Sequence, residues 1–77
     1  MATYLVYGSM RWGKGATLAE AKKNFTRHGA RLGDGYCVLE FPAGTEVQGV
    51  DQMGRVHYVG AGPTETVIPA RKKAGRR

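Results

Sequence analysis

Residues 17–29 read Thr17-Leu18-Ala19-Glu20-Ala21-Lys22-Lys23-Asn24-Phe25-Thr26-Arg27-His28-Gly29, and this stretch decides the class of fold. Thr17 and Glu20 stand three positions apart as a capping box, in which the hydroxyl accepts an early backbone N–H and the glutamate reaches back. Leu18, Ala21, Phe25 and His28 recur at helical spacing, and Gly29 is placed to end the run. The pattern predicts a helix over 17–28. Its apolar stripe is narrow, so the helix must lie on something else. Lys23 and Arg27 fall on the opposite face, and Lys22 flanks the stripe, where its stem can cover apolar surface. A solvated outer face accounts for these cations as well as a binding face does.

Upstream, Thr3-Tyr4-Leu5-Val6-Tyr7 is dense in β-formers and reads as a strand. Gly8 to Ala16, with Gly13 and Gly15, reads as a loop. Downstream, Tyr36–Phe41 is an apolar strand closed by Pro42-Ala43-Gly44. Thr45–Val50 and Arg55–Val59 follow around the turn Asp51-Gln52-Met53-Gly54, so the three segments predict an antiparallel meander. Thr66–Ile68 reads as a last edge strand, shortened by Pro69. The expected fold class is therefore α+β: a small antiparallel sheet of three to five strands with one helix packed on one face, in the order βαββ(β). The expected core is Leu5 or Val6, Leu18, Ala21, Phe25, Val38 or its neighbours Cys37 and Leu39, Phe41, Val47, Val56 and Tyr58. Residues 1–69 form the expected single domain, and 70–77 a flexible basic tail.

A chain of 77 residues has room for one domain and none for a Rossmann domain or a full P-loop NTPase. With 42% hydrophobic residues and no long apolar run, it reads as neither membrane-spanning nor wholly disordered. The lone Cys37 excludes an intramolecular disulfide, and the absence of a signal-like start points to a cytoplasmic protein. The net charge of +6 is unevenly spread. Six cations against Glu20 make residues 1–33 +5, and five carboxylates against Arg55 make residues 34–70 −4. Residues 71–77 contribute a further +5.

Gly8-Ser9-Met10-Arg11-Trp12-Gly13-Lys14-Gly15 approaches the phosphate-loop pattern GxxxxGK[ST], but Gly15 stands where the magnesium-binding hydroxyl belongs. Nucleotide hydrolysis is not expected. A looser role survives, in which Arg11 and Lys14 contact nucleic-acid phosphates beside the helix N-terminus. Trp12 either stacks on a base, anchors in a protein pocket or covers the core. The tail residues Arg71, Lys72, Lys73, Arg76 and Arg77 attract nucleic acid by counterion release, or merely aid solubility. Cys37, His28, His57 and Asp51 make an unconvincing reactive set: the cysteine lies in an apolar strand, which predicts a buried, inert thiol. His57 reads as a sheet-surface residue. No metal-ligand spacing appears, and no cofactor is implied. Glu40, Glu46 and Asp51 near strand ends keep a sheet soluble, or face a basic partner.

The layout of strand 3–7, helix 17–28 and strands 36–41, 45–50 and 55–59 resembles small phage-encoded accessory proteins, some anti-CRISPR proteins among them. The likeness is one of pattern and carries no residue-level motif. It implies a host-interaction context, in which a basic surface occupies a channel built for nucleic acid. The reading is a non-enzymatic binding protein that engages nucleic acid or a nucleoprotein complex. Arg11, Trp12, Lys14, Lys22, Lys23, Arg27 and Arg31 supply its domain face, and the tail extends it. The rival is a phage-encoded, protein-directed inhibitor of a host defence or transcription complex, with Trp12, Met10 and the exposed sheet as anchors. Neither reading involves a membrane.

Overall fold

The computed structural model describes residues 2–8 and 11–70. Strands β1 (Thr3–Gly8) and β2 (Arg11–Gly15) form a hairpin, followed by helix α1 (Leu18–Arg27) and a short 3₁₀ turn at Leu32–Asp34. Four more strands complete the order: β3 (Tyr36–Phe41), β4 (Glu46–Val50), β5 (Val56–Val59) and β6 (Thr64–Ile68). The architecture is α+β, with one helix against a four-stranded antiparallel sheet ordered β2-β1-β3-β6 and a separate β4-β5 pair.

The helix forms where its spacing predicts. The Thr17 hydroxyl accepts the Glu20 N–H at 3.1 Å, while the Glu20 carboxylate accepts the Ala16 N–H at 2.7 Å. Gly29, with a φ of +96°, turns the chain out of the helix. Lys22 lays its stem beside the sheet, with its ammonium 5.7 Å from the centre of the Tyr36 ring.

The Gly8–Ala16 segment is the first correction, because β2 occupies most of the expected loop. Strand propensity disfavours Arg-Trp-Gly-Lys-Gly, yet pairing along β1 (Val6 opposite Gly13, Tyr7 opposite Trp12) supplies the ladder. Packing explains the glycines. A Cβ on Gly13 would lie 2.9 Å from the Ala21 carbonyl oxygen and closer still to the Asn24 and Phe25 backbone. One on Gly15 would meet the Glu20 side chain at 2.7 Å. Gly13 lets the two backbones touch, and Gly15 makes room for the Glu20 side chain.

The meander is the second correction. β3 pairs with β1 and β6, and β4 pairs with β5 alone. The β4-β5 hairpin folds over the sheet face opposite the helix. This arrangement gives both faces of β1 and β3 something apolar to meet, which explains strands that read as apolar on both sides. Val6, Ala21, Phe25 and Ala30 form the helix-side core; Leu5, Leu39, Phe41 and Val47 form the hairpin-side core. Leu5 and Val6 are thus both buried. Leu18, Cys37, Val38 and Val56 are only half-buried, and Tyr58 is exposed beyond its contact with the Phe41 ring. The half-burial of Cys37 departs from the expected buried thiol: its partner on edge strand β6, Val67, is itself exposed.

Candidate functional site

The register sorts the charges by position along the molecule. Tyr4 pairs with both Gly15 and Glu40, so Glu40 and Glu20 lie toward one end. Arg11 sits at the other end, where its Nε donates to the His28 carbonyl oxygen at 2.6 Å. The guanidinium therefore closes the C-terminal end of the helix, where its charge suits the dipole. This corrects the expectation that Arg11 lies beside the helix N-terminus. Arg27 and Arg31 flank the same C-terminal end and are exposed. A Cβ on Gly35 would lie 2.9 Å from the Ala70 N, and one on Gly8 would lie 3.2 Å from the Gly35 carbonyl oxygen. Ala70 therefore reaches the Arg11 end. The five tail cations that follow it, Arg71 to Arg77, lie outside the described residues.

Five nitrogen-bearing side chains converge beside edge strand β2, the Trp12 indole among them. An open cleft of about 530 Å³ is lined by Arg11, Trp12, Gly13, Lys14, Asn24 and His28, with no carboxylate among them. The Lys14 Nζ donates to the Val47 carbonyl oxygen at 2.9 Å and so ties β2 to the overlying hairpin. The Asn24 Nδ2 donates to the Lys14 carbonyl oxygen at 2.7 Å. Each group retains N–H donors beyond these bonds: a guanidinium has five, an ammonium three and an amide two. Among the described residues no Lys or Arg is paired with a carboxylate, and the one basic side chain that meets a carboxylate is His57, beside Asp51.

Trp12 is the centre of the site. Half-buried against the hairpin-side core, it borders this cleft and two others. Its benzo ring rests on Gly49, where a Cβ would come within 3.0 Å of the indole. Gly49 has a φ of +139° beside an irregularity in the β4-β5 register, so only glycine accommodates both the turn of the backbone and the ring. The second cleft, about 780 Å³, lies between the β1-β2 end and the Asp51–Gly54 turn. Tyr7, Trp12, Val50 and Met53 supply its apolar walls, and Arg11 stands at its border with the first.

The Asp51–Gly54 turn is held by its own first residue. Asp51 Oδ1 accepts the Met53 N–H at 2.8 Å and the Arg55 N–H at 2.9 Å, while Oδ2 lies 2.8 Å from His57 Nε2. The His57 hydrogen bond, followed by the Arg55 amide, holds the Asp51 carboxyl below its ordinary range. His57 is exposed on the sheet surface, as expected. Cys37 lies elsewhere, opposite Tyr7 on β1. The suspected reactive set is thus divided: His57 and Asp51 meet, while Cys37 and His28 lie apart from them. Burial, with smaller contributions from Cys37 and Glu65, pushes the Tyr7 hydroxyl up to about 12, and this hydroxyl donates weakly to Glu65 at 3.5 Å. Among the described residues no group of three or more His, Cys, Asp or Glu could hold a metal ion, and no helix is long and apolar enough to cross a membrane.

Of the expected binding residues, Arg11, Trp12 and Lys14 meet in the clefts. Lys22, Lys23, Arg27 and Arg31 do not line them. Asn24, His28, Tyr7, Val50 and Met53 join the site without having been singled out for it. An apolar Met53 within the polar turn Asp51–Gly54 was a signal in the sequence for that residue alone, and the structure leaves 80% of its surface exposed. Compared with protein-family models, curated proteins and solved structures, the chain matches none.

Proposed function

We propose that this chain is a non-enzymatic binding protein for nucleic acid, with the β2-edge cleft as its phosphate contact. One observation carries the reading: Arg11, Lys14, Asn24 and His28 line a single cleft that has no carboxylate. Phosphate oxygens accept hydrogen bonds from such a donor set, and a free carboxylate ligand would lack the neighbouring charges that a polyanion offers to Arg27, Arg31 and the tail. Arg11 and Lys14 anchor the fold and remain charged while doing so, so their positions are fixed before any ligand arrives.

Filter binding over a salt series tests the reading, using the full chain and a 1–70 truncation. Both should bind DNA or RNA at low salt. Deleting the tail should weaken affinity and flatten the salt dependence by about 0.7 to 0.9 in slope for each phosphate the tail had neutralised. Failure of both proteins to bind any nucleic acid at low salt refutes the proposal.

A second reading, binding to a protein target, is favoured by β6. This edge strand exposes 64% of Val67, beside the half-buried Cys37 opposite it. Edge strands accept a further strand from a partner. A protein partner that survives nuclease treatment in a pull-down, and is lost when Val67 is replaced by Lys, supports this reading; retention of that partner by the variant counts against it.

A further inference from the structure

Resting on the nucleic-acid reading, we infer that the ligand is single-stranded and that the cleft between Trp12, Tyr7, Val50 and Met53 takes one of its bases. The two clefts are neighbours. Arg11 and Trp12 line both, so a single pair of adjacent residues separates a polar, carboxylate-free space from a largely apolar one. A nucleotide has the same division, with a charged phosphate joined through its sugar to a flat aromatic base. With a phosphate held by Arg11 and Lys14, the base reaches the apolar side of the Trp12 wall, where aromatic faces supply sequence-tolerant stacking.

A duplex does not fit this arrangement. Its base faces are covered by stacked neighbours, and only base edges show in its grooves. Such edges offer no ring face to a concave space bordered by Tyr7, Trp12, Val50 and Met53. An unpaired base brings both a face for the indole and an edge for the open Asp51–Gly54 turn. The pocket is also preformed: Gly49 seats the indole, and three contacts to the Asp51 carboxylate hold the turn.

The test uses the full chain with three probes at one salt concentration: an oligothymidylate, a duplex of equal charge, and an abasic strand of the same length. The chain has one tryptophan, so its fluorescence reports on Trp12 alone. The oligothymidylate should bind about tenfold or more tightly than the other two. It alone should quench Trp12. Trp12→Phe keeps an aromatic face and should stay within about threefold of the parent for the oligothymidylate, whereas Trp12→Leu should lose about tenfold for the oligothymidylate and distinctly less for the abasic strand. Circular dichroism establishes that each variant is folded, and an equal loss for the oligothymidylate and the abasic strand in Trp12→Leu counts against base stacking. Equal binding of all three probes without quenching overturns the inference and leaves phosphate binding standing. Absence of binding to every probe overturns the functional reading itself, and this inference with it.

Discussion

The two faces of the four-stranded sheet are closed in different ways. On the helix side, backbone meets backbone: α1 lies directly on Gly13, with Phe25, Ala21 and Val6 filling the space around the contact. On the other side, the β4-β5 hairpin is held off by side chains. Phe41, Leu39 and Val47 fill its centre, Trp12 wedges under Gly49, and Lys14 reaches up to the Val47 carbonyl oxygen. Contact through Gly13 closes the helix side beneath α1, and a cleft opens there only along the β2 edge, where Asn24 and His28 stand beside Arg11 and Lys14. A layer held up by an indole and a lysine leaves two clefts at its rim, and Trp12 borders both of them as well as the cleft along the β2 edge. The apolar space lies where side chains act as spacers, and the polar cleft along the edge of the seam where backbones touch.

That contrast can be broken most sharply at Gly13. Gly13→Ala sets a Cβ against backbone atoms of α1 that cannot rotate aside, so the helix must lift. A loss of about 3 kcal/mol is expected, a large share of the stability of so small a domain. Urea denaturation measures it, and a loss under about 1 kcal/mol would show that the helix does not need this close approach. Gly49→Ala should cost less, about 1 to 2 kcal/mol, because its strain arises from a positive φ and from a ring that can shift. Its distinguishing signature is a changed Trp12 emission maximum, which Gly13→Ala, where it remains folded, should not produce. An unchanged spectrum in Gly49→Ala would separate the indole from the hairpin.

The smallest effect belongs to the turn that borders the apolar cleft. Asp51 is held below its ordinary value of 3.8 by His57 and two amides, so its contribution is complete above that value and is lost as pH falls through the lower, folded value. Acid should therefore loosen residues 51–57 only below the ordinary carboxylate range. NMR titration of the Asp51 carboxyl and the Met53 and Arg55 amides follows this directly. A midpoint at or above the ordinary value contradicts the hydrogen bonding described for the turn.

The helix was legible because its signals are local: Thr17 to begin it, Gly29 to end it, and a stripe of three apolar residues between. The α+β class was legible from β-rich segments around it. The β2 strand was not. Its glycines read as loop because propensity considers the chain alone, while their use is to admit a helix that arrives later in sequence. Within the site, Arg11, Trp12 and Lys14 were legible as cationic and aromatic residues close together. Asn24 and His28 were not, since nothing local shows that β2 runs beside α1. Arg11 at the C-terminal end of the helix is likewise a long-range fact, as the hairpin must return before the two can meet.

By itself the sequence determined which segments are helix and apolar strand, the +5/−4/+5 division of charge, and the placing of Trp12 between Arg11 and Lys14. These follow from short-range patterns and from composition. Only the tertiary structure decided which strands pair, which face each cation takes, and that two clefts share the Arg11-Trp12 wall. The physical reason lies in the apolar strands. β1 and β3 have burial to gain on both faces, so local pattern cannot choose their partners. The choice falls to the helix that fits over Gly13 and to the hairpin that closes over Trp12.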